Sequence, residues 1–228
     1  MAGKTVVELG SGLGVTAATF LHIGAAVVCT DGEESVVAQL QDNLHRNFSP
    51  EHSDVCPPFD CVQHIWGEDV SPIAVSHVLS RGGQQVSYLV CFVSFLVFKD
   101  FCMQLPVDFI VGSDIVYGDK VDLWDALLIS IEQICRLGRP LGSEGNTVLL
   151  MAQTARYPIY ERQFYEKLEA HGFRRIFHRC ISRDAQGNLN CGSNADSCSE
   201  WEWDHDFDSC ADTDVVMRHQ LYGYLCPK

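Results

Sequence analysis

The chain has 228 residues, with 30 Asp and Glu against 16 Lys and Arg, for a formal net charge of −14 at pH 7. That length suits one domain with a sizeable buried core. The acidity argues against a nucleic-acid backbone as partner, since phosphate binding needs clustered Lys and Arg, and leaves a small molecule or a basic protein segment.

Val6 to Leu9 reads as a short apolar strand carrying one acid, Glu8. It runs into Gly10-Ser11-Gly12-Leu13-Gly14, a turn dense in glycine, and then into a helix over 15–22. Glycine permits positive φ and close approach of backbone to a ligand. A helix N-terminus beyond such a turn offers free N–H groups to a carboxylate or other anion. Val15 stands where a dinucleotide fingerprint has its third glycine, and no Gly-Lys-Ser/Thr follows, which excludes a P-loop. Ala25 to Thr30 is a second strand ending at Asp31. An acid there, roughly 20 residues past the glycines, is placed for a ribose diol. It can equally cap the helix that follows.

Glu33 to Asn47 has Val36, Val37, Leu40 and Leu44 on one helical face. Pro50 and Cys56-Pro57-Pro58 mark a loop, and Phe59 to Trp66 a third strand closed by Gly67. Residues 71–105 break the rhythm: after the Arg81-Gly82-Gly83 turn signal, Val86 to Phe98 is almost wholly apolar. It is shorter than the about 20 residues a bilayer span takes and reads as an apolar insertion. Pro106 to Gly112 is a fourth strand, followed by Ser113-Asp114-Ile115-Val116-Tyr117. A helix follows over 119–137 with Leu123, Leu127, Leu128, Ile131, Ile134 and Cys135 inward. Thr147 to Gln153 is a fifth strand and Tyr160 to His171 a helix stopped by Gly172. Arg174 to Ile181 and Val215 to Tyr224 are two closing strands, separated by an acidic loop over 184–214.

Strands alternating with helices predict an α/β fold with a largely parallel sheet. Gly10 to Gly14, Asp31, Trp66 and Ser113 to Tyr117 all fall at the expected C-terminal strand ends, where ligands bind in such sheets. Eleven cysteines occur without a C-x-x-C pair, and Cys29, Cys135 and Cys180 sit in apolar runs. Met1 leads straight into a strand with no signal-peptide region, so reduced thiols in the cytoplasm, with the nucleus as a further compartment, are expected. Cys191, Cys198, His205 and Cys210 are ligand types in one loop, but their spacing departs from close-paired zinc patterns and no metal is expected.

Val7 to Gly14, Thr30-Asp31, Trp66-Gly67, Asp108 to Tyr117 and Gln153 to Tyr157 together resemble the class I, seven-β-strand S-adenosylmethionine-dependent methyltransferases. Within them the chain looks most like the lysine methyltransferase family 16 group, which includes the methyltransferase-like 21 proteins. The likeness covers roughly residues 5–70 and 106–180, and the Trp-Gly and Asp-x-x-Tyr pair is its more particular part. It implies a Rossmann-like doubly wound, mostly parallel seven-strand sheet with helices on both faces, S-adenosyl-L-methionine as cofactor, and N-methylation of a lysine on a protein substrate. Nucleic acid and a membrane span are not expected, and the oligomeric state is left open.

The same likeness implies the site. Gly10, Ser11 and Gly12 would pass close to the methionine part of the cofactor. Glu8 would anchor the loop or reach the cofactor's amino group. Asp31 would hold the ribose, Trp66 would lie against the adenine, and Ser113 would line the cofactor beneath the sulfonium. Asp114 and Tyr117 would form the acceptor-lysine side. One domain over 1–228 is expected, lacking the family's N-terminal cover segment and with the insertion over 71–105 lengthening the gap after Trp66; both departures fit an incomplete or mis-assembled gene model. Rival readings are a dehydrogenase, a cofactor-free scaffold and a small-molecule methyltransferase. A lysine-rich chaperone or a translation factor is the family-level expectation for the substrate.

Overall fold

A computed structural model describes residues 1–48, 57–74, 107–116, 120–137, 147–154, 156, 158–183, 189–191 and 219–227. The strands are β1 (Thr5–Leu9), β2 (Ala26–Asp31), β3 (Phe59–Gln63), β4 (Phe109–Ser113), β5 (Val148–Thr154), β6 (Arg174–Arg183), β7 (Leu189–Cys191) and β8 (His219–Leu225). The helices are α1 (Val15–His22), α2 (Glu34–Phe48), α3 (Val121–Arg136) and α4 (Pro158–Ala170). The eight strands of the described residues lie in one sheet in the order β3-β2-β1-β4-β5-β8-β6-β7.

The pairs β2/β3, β1/β2, β1/β4 and β4/β5 are parallel, while β8 runs antiparallel to both β5 and β6. The Rossmann-like doubly wound arrangement is thus as the sequence implied, with one addition. The short β7 pairs with the end of β6 and makes an eighth strand out of what read as loop. Two boundaries also differ. β3 stops at Gln63, which leaves Trp66 in the turn beyond it, and the last strand enters between β5 and β6 from His219.

Alternation along the strands builds two cores. Val7 and Leu9 of β1 and Ile110 of β4 face α3 and α4, together with Leu127, Ile131, Ile134 and Phe164. Val6 and Val111 face the opposite way, onto Ala17 and Leu21 of α1 and Leu40 and Leu44 of α2. Helices therefore cover both faces, and β1 is buried along its whole length. Such strands read as continuous apolar runs because neither face meets water. In α3 the inward face is as expected except at its start: Leu123 is exposed and its neighbour Trp124 is buried in its place. Cys29 and Cys135 are buried thiols outside any disulfide.

The start of β1 is tied to the loop before β4. The Asp108 carboxylate accepts from the Thr5 N–H at 2.8 Å and from Lys4 Nζ at 2.9 Å. The insertion with its apolar run (residues 75–106), Tyr117, and Cys198, His205 and Cys210 of the acidic loop lie outside the described residues. Among the described residues no helix is long and apolar enough to cross a membrane, and no three His, Cys, Asp or Glu form a group that could hold a metal ion.

Where β8 threads between its neighbours, a side chain at Gly223 would place its Cβ 2.3 Å from Phe177 Cε1. The ring of Phe177 occupies that space, beside a register irregularity between Arg175 and Phe177. Gly223→Ala is expected to cost about 1–3 kcal/mol through overpacking, read as a lowered midpoint in urea denaturation; an unchanged midpoint would show that the ring moves aside freely.

Candidate functional site

The strand order reverses between β1 and β4, so a crevice opens at their C-terminal ends. The glycine turn forms one lip. Ser11 extends the β1–β2 ladder: its N–H donates to the Thr30 carbonyl at 2.8 Å, and its Oγ accepts from the Thr30 N–H at 3.1 Å. The turn then closes through the Gly14 N–H to the Ser11 carbonyl at 2.9 Å. Gly10, Gly12 and Gly14 all have positive φ. Their surroundings differ. A Cβ at Gly14 would lie 2.5 Å from Leu40 Cδ1, and one at Gly10 2.8 Å from Ile115 Cγ2, whereas Gly12 has no heavy atom within 4 Å of that position. Packing explains the glycines at 10 and 14, and Gly12 faces open space.

Glu8 stands at the base of this lip and is 1 % exposed. Its carboxyl receives hydrogen bonds from the side chains of Ser11 and Thr16 and from the backbone of Ala17 in the first turn of α1. An acid is suited to that place because helix N-termini carry orphan N–H groups and partial positive charge. Gly14, the residue before α1, supplies no side-chain cap. Even so, burial dominates and pushes Glu8 up to about 7; the three hydrogen bonds pull it down, and the charge of Asp31 pushes it further up. Its second oxygen, Oε2, is buried with no hydrogen-bond partner.

Asp31 ends β2 on the other side of the crevice. Its Oδ2 accepts from the Gly12 N–H at 3.0 Å and its Oδ1 from the Glu33 N–H at 3.2 Å. Asp31 thus braces the glycine turn and fixes the backbone just ahead of α2, where Glu33 rather than Asp31 stands at the cap. A carboxylate has about four acceptor positions, so these two bonds leave others for a ligand's hydroxyls. Trp66 is half-buried against the core, and its ring lies 3.7 Å (at Cζ2) from the position a Gly10 Cβ would take. Two residues that the sequence did not single out hold its turn. Ser130 Oγ accepts from the Gly67 N–H at 2.9 Å and lies 2.9 Å from His64 Nε2. Burial lowers the His64 pKa, which favours the neutral ring. Ser130 is a fully buried polar residue among Leu127, Ile131 and Ile134, and that interruption of an apolar helix face was its signal in the sequence.

The far lip follows β4. Ser113 ends that strand half-buried, in register with Ala152 of β5. Asp114 has a φ of 53°, a left-handed conformation that Asp tolerates better than most residues. Its N–H donates to the Ala152 carbonyl at 2.8 Å. Its Oδ1 accepts from the Thr154 N–H at 2.6 Å, and its Oδ2 from Thr154 Oγ1 at 3.2 Å and Arg156 Nη2 at 3.3 Å. Thr154 Oγ1 also lies 3.3 Å from His219 Nδ1. Asp114 is thus a strand-end brace as well as a candidate site acid. Ile115 packs beneath, against both Gly10 and Gly112, and joins the two lips. Glu8, Gly10, Ser11, Gly12, Asp31, Trp66, Ser113 and Asp114 therefore share one edge, with an unpaired buried oxygen, an open glycine, a second carboxylate and an aromatic face.

No protein-family profile matches the sequence, and no curated protein does. Solved structures do match. A candidate RNA methyltransferase from Pyrococcus horikoshii is 15 % identical, with a TM-score of 0.51 over 100 % of this chain and 76 % of that one. The methyltransferase domain of the bacterial protein CtHen1-CN is 12 % identical, with a TM-score of 0.51 over 98 % of this chain and 90 % of that one. The chain has the Rossmann-like α/β fold of these methyltransferases.

Two expectations follow from the site's internal bonds. Glu8 ionises near 4.5 in the unfolded chain and near 7 in the fold. Between those values the folded protein keeps a proton that the unfolded chain has released, so stability falls as pH rises through this window, by about 3 kcal/mol in all. Glu8→Gln should therefore gain on the wild type between pH 5 and pH 8 in thermal melts; parallel pH profiles would contradict this. Ser130→Ala strands the Gly67 N–H and His64, and should cost about 1–3 kcal/mol in denaturation while shifting Trp66 fluorescence.

Proposed function

We propose that this chain is an S-adenosylmethionine-dependent methyltransferase that transfers a methyl group to a lysine ε-amine of a protein substrate. The observation that carries the reading is the crevice between β1 and β4, with Glu8 Oε2 buried and unpartnered on one lip and the Asp114 carboxylate on the other. The first suits a cationic ligand beside an open glycine, and the second suits a cationic or amine acceptor. The chain's acidity and the named lysine-methyltransferase resemblance favour a basic protein segment as substrate over RNA. A small-molecule methyltransferase and an inactive scaffold of the same fold are the competing readings.

The residues divide the task. Asp31 holds the ribose hydroxyls with its remaining acceptor positions, while keeping its bonds to Gly12 and Glu33. Trp66 offers an aromatic face to adenine. The backbone at Gly10, Ser11 and Gly12 would hold the methionine part, with Glu8 toward its amino group, and Ser113 would line the cofactor beneath the sulfonium. The cofactor supplies a methyl group carried on a positively charged sulfur. An attacking lysine must be neutral; its pKa of about 10.4 makes deprotonation at pH 7 cost roughly 4–5 kcal/mol. Burial and a nearby positive charge lower that cost. Asp114 orients the amine by accepting its hydrogen bond, and most of the rate comes from alignment. Tyr117, assigned here as an aromatic wall for the methylated nitrogen, lies outside the described residues.

Calorimetric titration with S-adenosylmethionine tests the first half of the proposal. Binding is expected, weakened about 10-fold to 100-fold by Asp31→Ala through loss of charged hydrogen bonds. A folded protein that gives no binding would leave the scaffold reading. Labelled cofactor incubated with cell extract tests the second half: label recovered as methyllysine supports it, and label confined to small molecules would transfer the assignment to that substrate class.

A further inference from the structure

The described surface of Asp114 is already occupied by a cation of the chain itself. Its Oδ1 is taken by the Thr154 N–H at 2.6 Å, an internal bond that holds the carboxyl in the strand end. Its Oδ2 shares the Thr154 hydroxyl at 3.2 Å with the Arg156 guanidinium, whose Nη2 lies at 3.3 Å. The Asp114 side chain is 37 % exposed and that of Arg156 56 % exposed, so both members of the pair meet solvent. The Arg156 backbone does not share that freedom. Its N–H donates to Glu161 Oε1 at 2.9 Å, and Glu161, in the first turn of α4, is 2 % exposed. A fixed backbone with an exposed head group is the arrangement of an arm that can leave its partner and return.

Resting on the reading of Asp114 as the seat of the acceptor amine, we infer that Arg156 is an internal stand-in for the substrate's cationic side chain. Its guanidinium fills the amine's place on Asp114 Oδ2 and has to be displaced before an amine can be seated. Two consequences follow. The site selects for an acceptor that arrives as its ammonium form, because only a cationic or strongly donating group repays the loss of the Arg156 pair; the seated ammonium then gives up its proton to solvent before it can attack. It also holds the Asp114 carboxylate in its acceptor geometry while no substrate is present. An exposed ion pair is a modest competitor, so its removal is expected to tighten amine binding by about two- to fivefold rather than by orders of magnitude.

The experiment uses n-butylammonium, the head of a lysine side chain, with n-butanol as the neutral control. The full chain is titrated at constant ionic strength and pH 7, and the Thr154 amide resonance, bonded to Asp114, reports occupation of the acid. Wild type, Arg156→Ala, Asp114→Asn and the double variant are compared, each first shown to be folded by circular dichroism. The expected result is saturation of the Thr154 shift by butylammonium only, at two- to fivefold lower concentration in Arg156→Ala. The gain should vanish in the Asp114→Asn background. A gain that persists there would mean that Arg156 acts through its general positive field and would overturn the displacement. Equal titration of wild type and Arg156→Ala would overturn the stand-in while leaving the amine seat intact. No titration of Thr154 in either would remove the amine seat, and the stand-in with it, without touching the cofactor reading, which calorimetry tests separately.

Discussion

The exchange of hydrogen bonds between Ser11 and Thr30 is the constraint on which the crevice depends. It ties the chain to β2 two residues past the end of β1, so the glycine turn begins from a fixed backbone. From that point the geometry is nearly determined. The Gly12 N–H reaches Asp31, the Gly14 N–H closes on Ser11, and α1 starts at a set angle over the sheet. The Thr30 hydroxyl adds a third tie, donating to the Glu8 carbonyl at 2.8 Å. Loops with this many internal bonds lose little further freedom when a ligand arrives, which is what preorganisation means in energetic terms.

The polar residues of the crevice serve structure and chemistry with the same atoms. Glu8 compensates the start of α1, Asp31 braces the glycine turn, and Asp114 closes the end of β5. Glu8 and Asp31 nevertheless keep unused capacity, an orphan oxygen on the first and spare acceptor positions on the second, while the Asp114 carboxylate holds the exposed Arg156 head group. Buried polar groups that are only partly satisfied are costly, and folds retain them mainly where something else completes them. On this view the incomplete bonding of Glu8 is the energetic mark of the site.

Much of this was legible in the sequence because it rests on local pattern. The apolar runs of β1, β2 and β4 gave the parallel sheet, and acids or glycines at their ends placed the crevice. The two candidate carboxylates beyond Glu8, Asp31 and Asp114, were marked by their position at strand tips. What escaped depends on contacts between distant segments. Ser130 matters only because α3 returns beneath the turn after β3, 63 residues from Gly67 in sequence. Arg156 matters only because β5 pairs with β4, bringing it 42 residues back to Asp114. Leu123 failed as a core residue because an apolar face is wider than the surface its helix covers at the first turn, where Trp124 took the place. The eighth strand was hidden in a polar segment, since Leu189 to Cys191 has too few residues to show an alternation.

The bond from Asp108 back to Thr5 spans 103 residues, and β1 lies beside β4 in the finished sheet. During synthesis, β1 and its glycine turn leave the ribosome long before their second neighbour exists. At about 5–20 residues per second, the apolar flank of β1 waits roughly 5–20 seconds for its partner. In that interval it is an open strand edge, able to pair with the wrong chain. The two lips of the crevice therefore come together only after that wait, and the nascent chain carries an open strand edge that the finished sheet does not.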